Sequence, residues 1–213
     1  MNYAEAFLEV SPTTLAEIVG RKYVMDHGIH QLWQNMPRIA GPAYPVRCGD
    51  GDNLMLHAAI YRAPAGSIIV CQAGDQDYAV AGGNVCAIAQ KRGVTGFIID
   101  GMIRDLAEVR ANHFPVLARG LIPIPGKKEA VGAMNARVQC GGVVVEPGDI
   151  IVADEEGIVV VPKARLDEVL DLALAKAAKE ASESLEIWEA AHHSKVEQIM
   201  RDKGLADLPS IES

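Results

Sequence analysis

Gly83, followed after twenty intervening residues by Arg104-Asp105 and then by Glu108, joins a point of backbone freedom to a cation and two carboxylates. Gly82-Gly83-Asn84 opens a stretch in which Val85, Ile88 and Ala89 recur at helical spacing, and Lys91, Arg92 and Gly93 supply its stop. Phe97-Ile98-Ile99 reads as a buried strand, after which Asp100-Gly101 is expected to turn the chain toward Arg104 and Asp105. In an open α/β sheet the carboxyl ends of strands and the amino ends of helices share a crevice in which backbone N–H groups receive anions. Arg104 would complete such a pocket for a carboxylate. Asp105 followed three positions later by Glu108 is equally the pattern of a helix N-cap, so these residues carry a structural reading beside the functional one.

The pattern extends beyond this stretch. Met25-Asp26-His27-Gly28-Ile29, Ala40-Gly41-Pro42-Ala43, Gly51-Asp52-Asn53-Leu54 and Phe114-Pro115-Val116-Leu117-Ala118-Arg119-Gly120 accompany Gly83 and Arg104-Asp105-Leu106-Ala107-Glu108. Together they resemble the class II 4-hydroxy-4-methyl-2-oxoglutarate and 4-carboxy-4-hydroxy-2-oxoadipate aldolases, which share their fold with the regulator of ribonuclease E activity A. The resemblance covers roughly residues 10 to 165. It implies that Arg104 grips the substrate's 1-carboxylate and that Asp105 holds a divalent metal, Mg²⁺ or Mn²⁺, directly or through water. It also implies that the backbone at Gly83, Asn84 and Val85 binds the pyruvate end.

The implied reaction is a retro-aldol cleavage of a 4-hydroxy-2-oxo acid to pyruvate and a second 2-oxo acid, with oxaloacetate decarboxylation as a side activity through the same enolate. Metal and arginine form the electron sink, and a water on the metal is the available base, with no side chain assigned. Some members carry an acidic residue where Gly83 stands, so that carboxylate is missing here. Others take a glutamate from a neighbouring subunit's C-terminal region. Glu183, Glu186, Glu189 and Glu197 are present in this tail, and no motif chooses among them. The resemblance further implies a homo-oligomer, a trimer or hexamer. The alternatives are a non-catalytic regulator that binds a ribonuclease or helicase, and another small-molecule enzyme on the same scaffold.

The elements that must position these residues read as a single α/β domain over residues 1–213: mixed β-sheets flanked by helices, a core at about 10–165, and a long C-terminal helix within about 163–203. Thr13 to Tyr23 is expected as an early helix, Met36 to Pro45 as an irregular connection, and Val46-Arg47-Cys48 as a strand. Asp52 or Asn53 would cap a helix over Leu54 to Tyr61, and Ser67 to Cys71 is a central strand. Asp75 and Asp77 follow it as secondary carboxylate candidates, with turn residues as their structural reading. Beyond Arg119, apolar β-rich runs separated by Gly141-Gly142, Glu146-Pro147-Gly148 and Glu155-Glu156-Gly157 are successive strands. From Leu166, apolar residues recur at helical spacing toward Leu185 and Trp188.

A chain with 49% apolar and 23% charged residues can bury a substantial core. Its net charge of -8 opposes a nucleic-acid footprint, yet a local arginine and metal outweigh that field at contact distance. Four widely spaced cysteines form no zinc-ligand pattern and are expected reduced and buried. No apolar run is long enough to cross a membrane, and Glu5 and Glu9 interrupt any secretory signal, so the expected location is the cytoplasm. His27, His30, His57, His113, His192 and His193 make no ligand pattern, and Lys127-Lys128 read as exposed loop charge.

Overall fold

In the computed structural model, residues 2–205 are described. They form two compact units that divide between Ala173 and Leu174. The first begins with α1 (Tyr3–Leu8) and α2 (Pro12–Val19), and continues through β1 (His30–Gln31), β2 (Ile39–Arg47), α3 (Leu54–Ala59), β3 (Ile68–Gln72) and β4 (Ala79–Ala81). Next come α4 (Gly83–Lys91), β5 (Gly96–Ile103), α5 (Leu106–Ala111) and β6 (Val116–Leu121). The β-rich part supplies β7 (Val138–Cys140), β8 (Val143–Val145), β9 (Ile150–Asp154) and β10 (Gly157–Val161), and the chain ends in α6 (Leu166–Ser182) and α7 (Leu185–Asp202).

The main sheet runs β1-β6-β5-β3-β2-β9-β10, with β4 added to β5. Strands β2, β3, β5 and β6 are parallel, so their carboxyl ends open on one side. The segment after α2 spans both edges of this sheet: Val24 bridges Val159 of β10, and His30 pairs with Ala118 of β6. The sheet is thereby nearly closed, and Ile69, Cys71, Phe97, Ile99 and Leu117 are buried in one core with side chains of α3, α4 and α5.

Period-two alternation distributes β9 and β10 between two cores. Ile151, Ala153, Ile158 and Val160 face the main core, whereas Ile150, Val152, Val159 and Val161 pack with Phe7, Leu15, Val19, Leu166, Val169 and Leu170. Burial on both faces explains why these strands are continuous runs of isoleucine and valine.

Three local expectations are corrected. Residues 39–45 are not an irregular connection but most of β2, despite Pro42 and Pro45. This strand pairs with β9 through Pro42 and with β3 from Ala43 onward. The N–H groups of Ala43 and Arg47 reach the carbonyls of Asp149 and Ala133, away from β3. Pro45, of the same parity, therefore sits where no β3 ladder bond needs a donor, and Pro42 precedes that ladder. Asp100-Gly101 does not turn the chain, because β5 continues to Ile103 across a register shift between Ile99 and Met102. The early helix stops at Val19, since Gly20 takes φ 84° and only a short 3₁₀ turn follows.

The C-terminal helical segment is present in two pieces, broken where the Ser184 hydroxyl accepts the Ile187 N–H and starts α7. Within the second unit, Trp188 stacks on His192 at 4.5 Å between ring centroids.

Polar contacts tie the closing segment to the sheet. Asp100 on β5 accepts from Arg119 Nε at 2.5 Å and from the Gly141 N–H at 2.7 Å, while Asp26 N–H donates to the Gly141 carbonyl. Asp100→Ala removes two charge-assisted bonds at a partly buried position and is expected to lower unfolding free energy by about 1.5–3 kcal/mol. Urea denaturation of the variant checks this, and a change within experimental error would show that the closure does not depend on Asp100.

Candidate functional site

Asp105 decides the geometry of the site. It adopts φ 57°, ψ 38°, the left-handed region in which aspartate is one of the few tolerated side chains. It stands at the N-cap position of α5, yet its side chain makes no capping bond there. Instead its Oδ2 accepts the Gly83 N–H at 3.2 Å and lies 3.4 Å from Arg104 Nε. The capping reading of this residue is thus replaced by a bond that joins the end of β5 to the start of α4.

The two glycines allow that approach. A Cβ at Gly82 would come within 2.5 Å of the Asp105 carboxylate, and a Cβ at Gly83 would collide with the carboxylate of Glu108. Glu108 therefore occupies, from α5, the space that a side chain at 83 would fill. Both carboxylates flank the opening of α4.

In the first turn of α4, Gly83 donates to Asp105 and Cys86 donates to Gly82. The N–H groups of Asn84 and Val85 have no acceptor among the described residues, which leaves two donors at a positively polarised helix end. Arg104, 40% exposed, is anchored by its own N–H to the Ala81 carbonyl, and its Nη nitrogens make no bond among the described residues.

These groups line one cleft of ≈ 80 Å³ together with Ala79, Ala81, Gly82, Asp105 and Pro125. That is the room of two or three waters at about 30 Å³ each, so it encloses only the end of a small molecule. Three further lining residues come from elsewhere: Asn53, His57 and Lys128. Sequence reasoning missed them as site residues, because His57 looked like one helical position and Lys128 like loop charge. Asn53 is 2% exposed, and its Nδ2 donates to the Gly126 carbonyl while Oδ1 has no partner. A buried amide oxygen without a donor awaits one.

Burial first, then the charges of Lys128 and Arg104, push the His57 imidazole down to about 4. At neutral pH it is uncharged, and its conjugate acid is too strong for it to serve as an effective general base. Cys86, on the buried side of α4, has its thiol pushed up to about 12 by burial and the Asp105 charge, so it is not a nucleophile. All four cysteines are free and buried.

Asp75 and Asp77 are not brought to the cleft. Asp75 accepts the N–H groups of Gly51 and Asp77, a turn arrangement, and Asp77 is exposed. The reason is local: an aspartate carboxylate two residues before an amide closes an Asx turn. No cluster of three metal-ligating side chains exists among the described residues. A hydrated Mg²⁺ or Mn²⁺ needs only one or two carboxylates with several waters, and Asp105 with Glu108 matches that donor set.

Residues 9–160 match the Aldolase/RraA family model. The chain belongs to this family. It is 39% identical over 179 residues to a Halalkalibacterium halodurans protein provisionally named 4-hydroxy-4-methyl-2-oxoglutarate aldolase, covering 84% of this chain and 85% of that one. An uncharacterised Methanocaldococcus jannaschii protein is 35% identical over 188 residues, covering 87% and 85%. Among solved structures, the Streptomyces coelicolor RNase ES inhibitor homologue RraAS2 aligns with TM-score 0.73 at 26% identity, covering 84% of this chain and 93% of that one. The RNA-processing inhibitor RraA of Thermus thermophilis aligns with TM-score 0.66 at 26% identity, covering 72% and 93%. The fold of this Aldolase/RraA member is thus that of the RraA proteins. No helix among the described residues is long and apolar enough to cross a membrane.

The depressed His57 value sets a pH dependence. Its ordinary value is 6.5, so the unfolded chain binds a proton there that the folded chain refuses down to about 4. Its contribution to stability is present above 6.5 and lost as pH falls toward 4. His57→Gln is expected to flatten the stability difference between pH 7 and pH 4, measured by urea denaturation at each pH against the parent protein. Parallel profiles would show that the imidazole is not buried in the cleft.

Proposed function

We propose that this protein is a divalent-metal-dependent lyase that releases pyruvate from a 4-hydroxy-2-oxo acid of the 4-hydroxy-4-methyl-2-oxoglutarate type. The observation that carries the reading is the convergence on one cleft of the free Arg104 fork, the Asp105 carboxylate and the unpaired N–H groups of Asn84 and Val85. A 2-oxo acid presents what these groups complement: a carboxylate for the fork and a keto oxygen for the donors.

In this mechanism Arg104 grips the 1-carboxylate and fixes the three-carbon end. The N–H groups of Asn84 and Val85 face the 2-keto oxygen, where negative charge accumulates as the carbon–carbon bond breaks. Asp105, with Glu108 beside it, would hold Mg²⁺ or Mn²⁺, and that ion, when bound, supplies Lewis-acid polarisation of the keto group. Asn53 and Lys128 receive the outer part of the substrate: the lone Asn53 Oδ1 accepts a hydrogen bond from a substrate hydroxyl, and the Lys128 ammonium pairs with an anionic group. Oxaloacetate fits the same inner subsite, and its decarboxylation leaves the same pyruvate enolate. A 2-oxo acid as small-molecule partner and a homo-oligomeric assembly belong to this reading.

The direct test is pyruvate release from 4-hydroxy-4-methyl-2-oxoglutarate and from oxaloacetate with Mg²⁺ or Mn²⁺, then with chelator, then with metal restored. Absence of pyruvate from both substrates in the metal-replete, folded protein would leave the regulator reading, which the likeness to RNA-processing inhibitors favours.

Asp105→Asn keeps the side-chain shape, tolerates the left-handed backbone and still accepts the Gly83 N–H, but loses the anionic ligand. Turnover is expected to fall at least about a hundredfold, an effect comparable to losing a transition-state electrostatic contact, with higher metal concentrations needed for what remains. Normal turnover and metal response would reduce Asp105 to a structural link.

Arg104→Lys preserves charge but replaces a two-pronged guanidinium with a point charge. Loss of a charge-assisted contact costs about 1.5–3 kcal/mol, or on the order of ten- to a hundredfold in affinity. The weakening is expected for pyruvate as a competitive inhibitor as well as for substrate, since both carry the same acid. Unchanged pyruvate inhibition removes Arg104 from the inner subsite.

A further inference from the structure

One wall of the cleft belongs to no helix or strand. Residues 124–130 form a strap that carries Pro125 and Lys128 to the site. Ile124, Lys127, Lys128 and Glu129 are exposed, so apolar burial does not hold it. Hydrogen bonds do. Ala79 N–H donates to the Ile124 carbonyl at 2.8 Å and Gly126 N–H to that of Ala79 at 3.0 Å. Lys127 N–H reaches the Gly51 carbonyl at 2.7 Å, and Asn53 N–H returns to the Lys127 carbonyl at 2.8 Å.

Two buried side chains add to these: Asn53, whose Nδ2 donates to the Gly126 carbonyl at 3.0 Å, and its neighbour Asp52. Asp52 is 4% exposed, and its Oδ2 accepts the N–H groups of Glu129 at 2.5 Å and Ala130 at 3.0 Å. Its Oδ1 accepts the Leu54 N–H at 2.8 Å, at the start of the helix that carries His57. Both oxygens are spent within the protein, so this carboxylate does not touch a ligand.

We propose that Asp52 is a positioning residue that clamps the 124–130 strap against residues 51–54 and so delivers Lys128 to the outer half of the substrate. The role of Lys128 rests on the lyase reading above, while the clamp is a property of the chain itself and is tested without substrate. Bond formation at Oδ2 needs two acceptor lone pairs on one oxygen facing two amides. In Asp52→Asn either that oxygen becomes an N–H₂ group facing the two donors, or the Leu54 bond is lost.

Two measurements test the clamp. The first is limited trypsin cleavage of the full chain after Lys127 and Lys128, read by mass spectrometry. Asp52→Asn is expected to speed it about tenfold or more, the population change that losing a charge-assisted bond implies, with cleavage after Lys91 unchanged. Ala130→Pro, which removes one donor from the strap and leaves the buried carboxylate intact, is expected to act in the same direction, should Asp52→Asn fold poorly.

The second is the His57 titration followed by NMR. Lys128 lowers the His57 value and Asp52 raises it. Loss of the Asp52 charge alone would lower the value further, whereas release of Lys128 raises it. The expected result in Asp52→Asn, or in Ala130→Pro if that is the folded variant, is a rise. Cleavage at the parental rate, or a His57 value that stays or falls, overturns the clamp. Where pyruvate release is measurable, the same variant is expected to raise KM for the longer substrate several-fold with little change in kcat or in pyruvate inhibition. Equal loss of kcat would place Asp52 at the inner subsite instead and overturn the assignment.

Discussion

The bond from the Gly83 N–H to the Asp105 carboxylate is the constraint on which the site depends. It requires Asp105 to leave the ordinary helical and extended regions, at a cost of order 1 kcal/mol, and to forgo capping its own helix. What it secures is a fixed distance between the end of β5 and the beginning of α4. Because the carboxylate takes only the Gly83 donor, the next two N–H groups of α4 stay open to the cleft. A side chain at either glycine would prevent this approach sterically. A local backbone irregularity thus determines which donors a ligand finds.

The inner site was legible because its parts are encoded locally. Gly82-Gly83 marks a helix start whatever lies around it, and Arg104-Asp105 follows a strand that apolar content alone identifies. The outer site was not. Asn53, the N-cap of α3, lies one turn before His57, and Lys128 arrives through a strap bonded to distant residues, as the separation of 77 positions between Asp52 and Glu129 shows. No periodicity records such a contact. The same holds for β2, where Pro42 and Pro45 are breakers by local rules and harmless in place, since each falls where its neighbour strand asks for no donor. The serine that divides α6 from α7 carries a cap signal, but the helical spacing of apolar residues runs across it and hides the break.

Charge follows a similar division between global and local. A chain of net charge -8 repels small anions at long range. Inside the cleft the balance changes: Arg104, Lys128 and the positive end of α4 face Asp105, and the depressed His57 value registers the excess of positive charge together with burial. A divalent ion beside Asp105 and Glu108 would extend that excess. The geometry thereby favours an acid that enters with its carboxylate toward Arg104, and an overall acidic surface is no argument against such a substrate.

The two halves of the cleft differ in how they are built, and this bears on how one fold serves different purposes. The inner half lies at the carboxyl ends of β4 and β5 and the amino end of α4, elements whose positions are set by a core of Ile98, Ile99, Ile103, Cys86 and Val109. Displacing Arg104 or Asp105 there would disturb packed side chains, so the end of the cleft that carries them is stiff. The outer half is hung on hydrogen bonds over an exposed strap, where substitutions change side chains without creating cavities. A scaffold of this kind can keep the proposed recognition element for a 2-oxo acid fixed while its outer wall is free to differ. Shared architecture with RNA-processing inhibitors therefore does not decide the activity, and Lys128, Asn53 and the strap that joins them are where the discrimination has to be made.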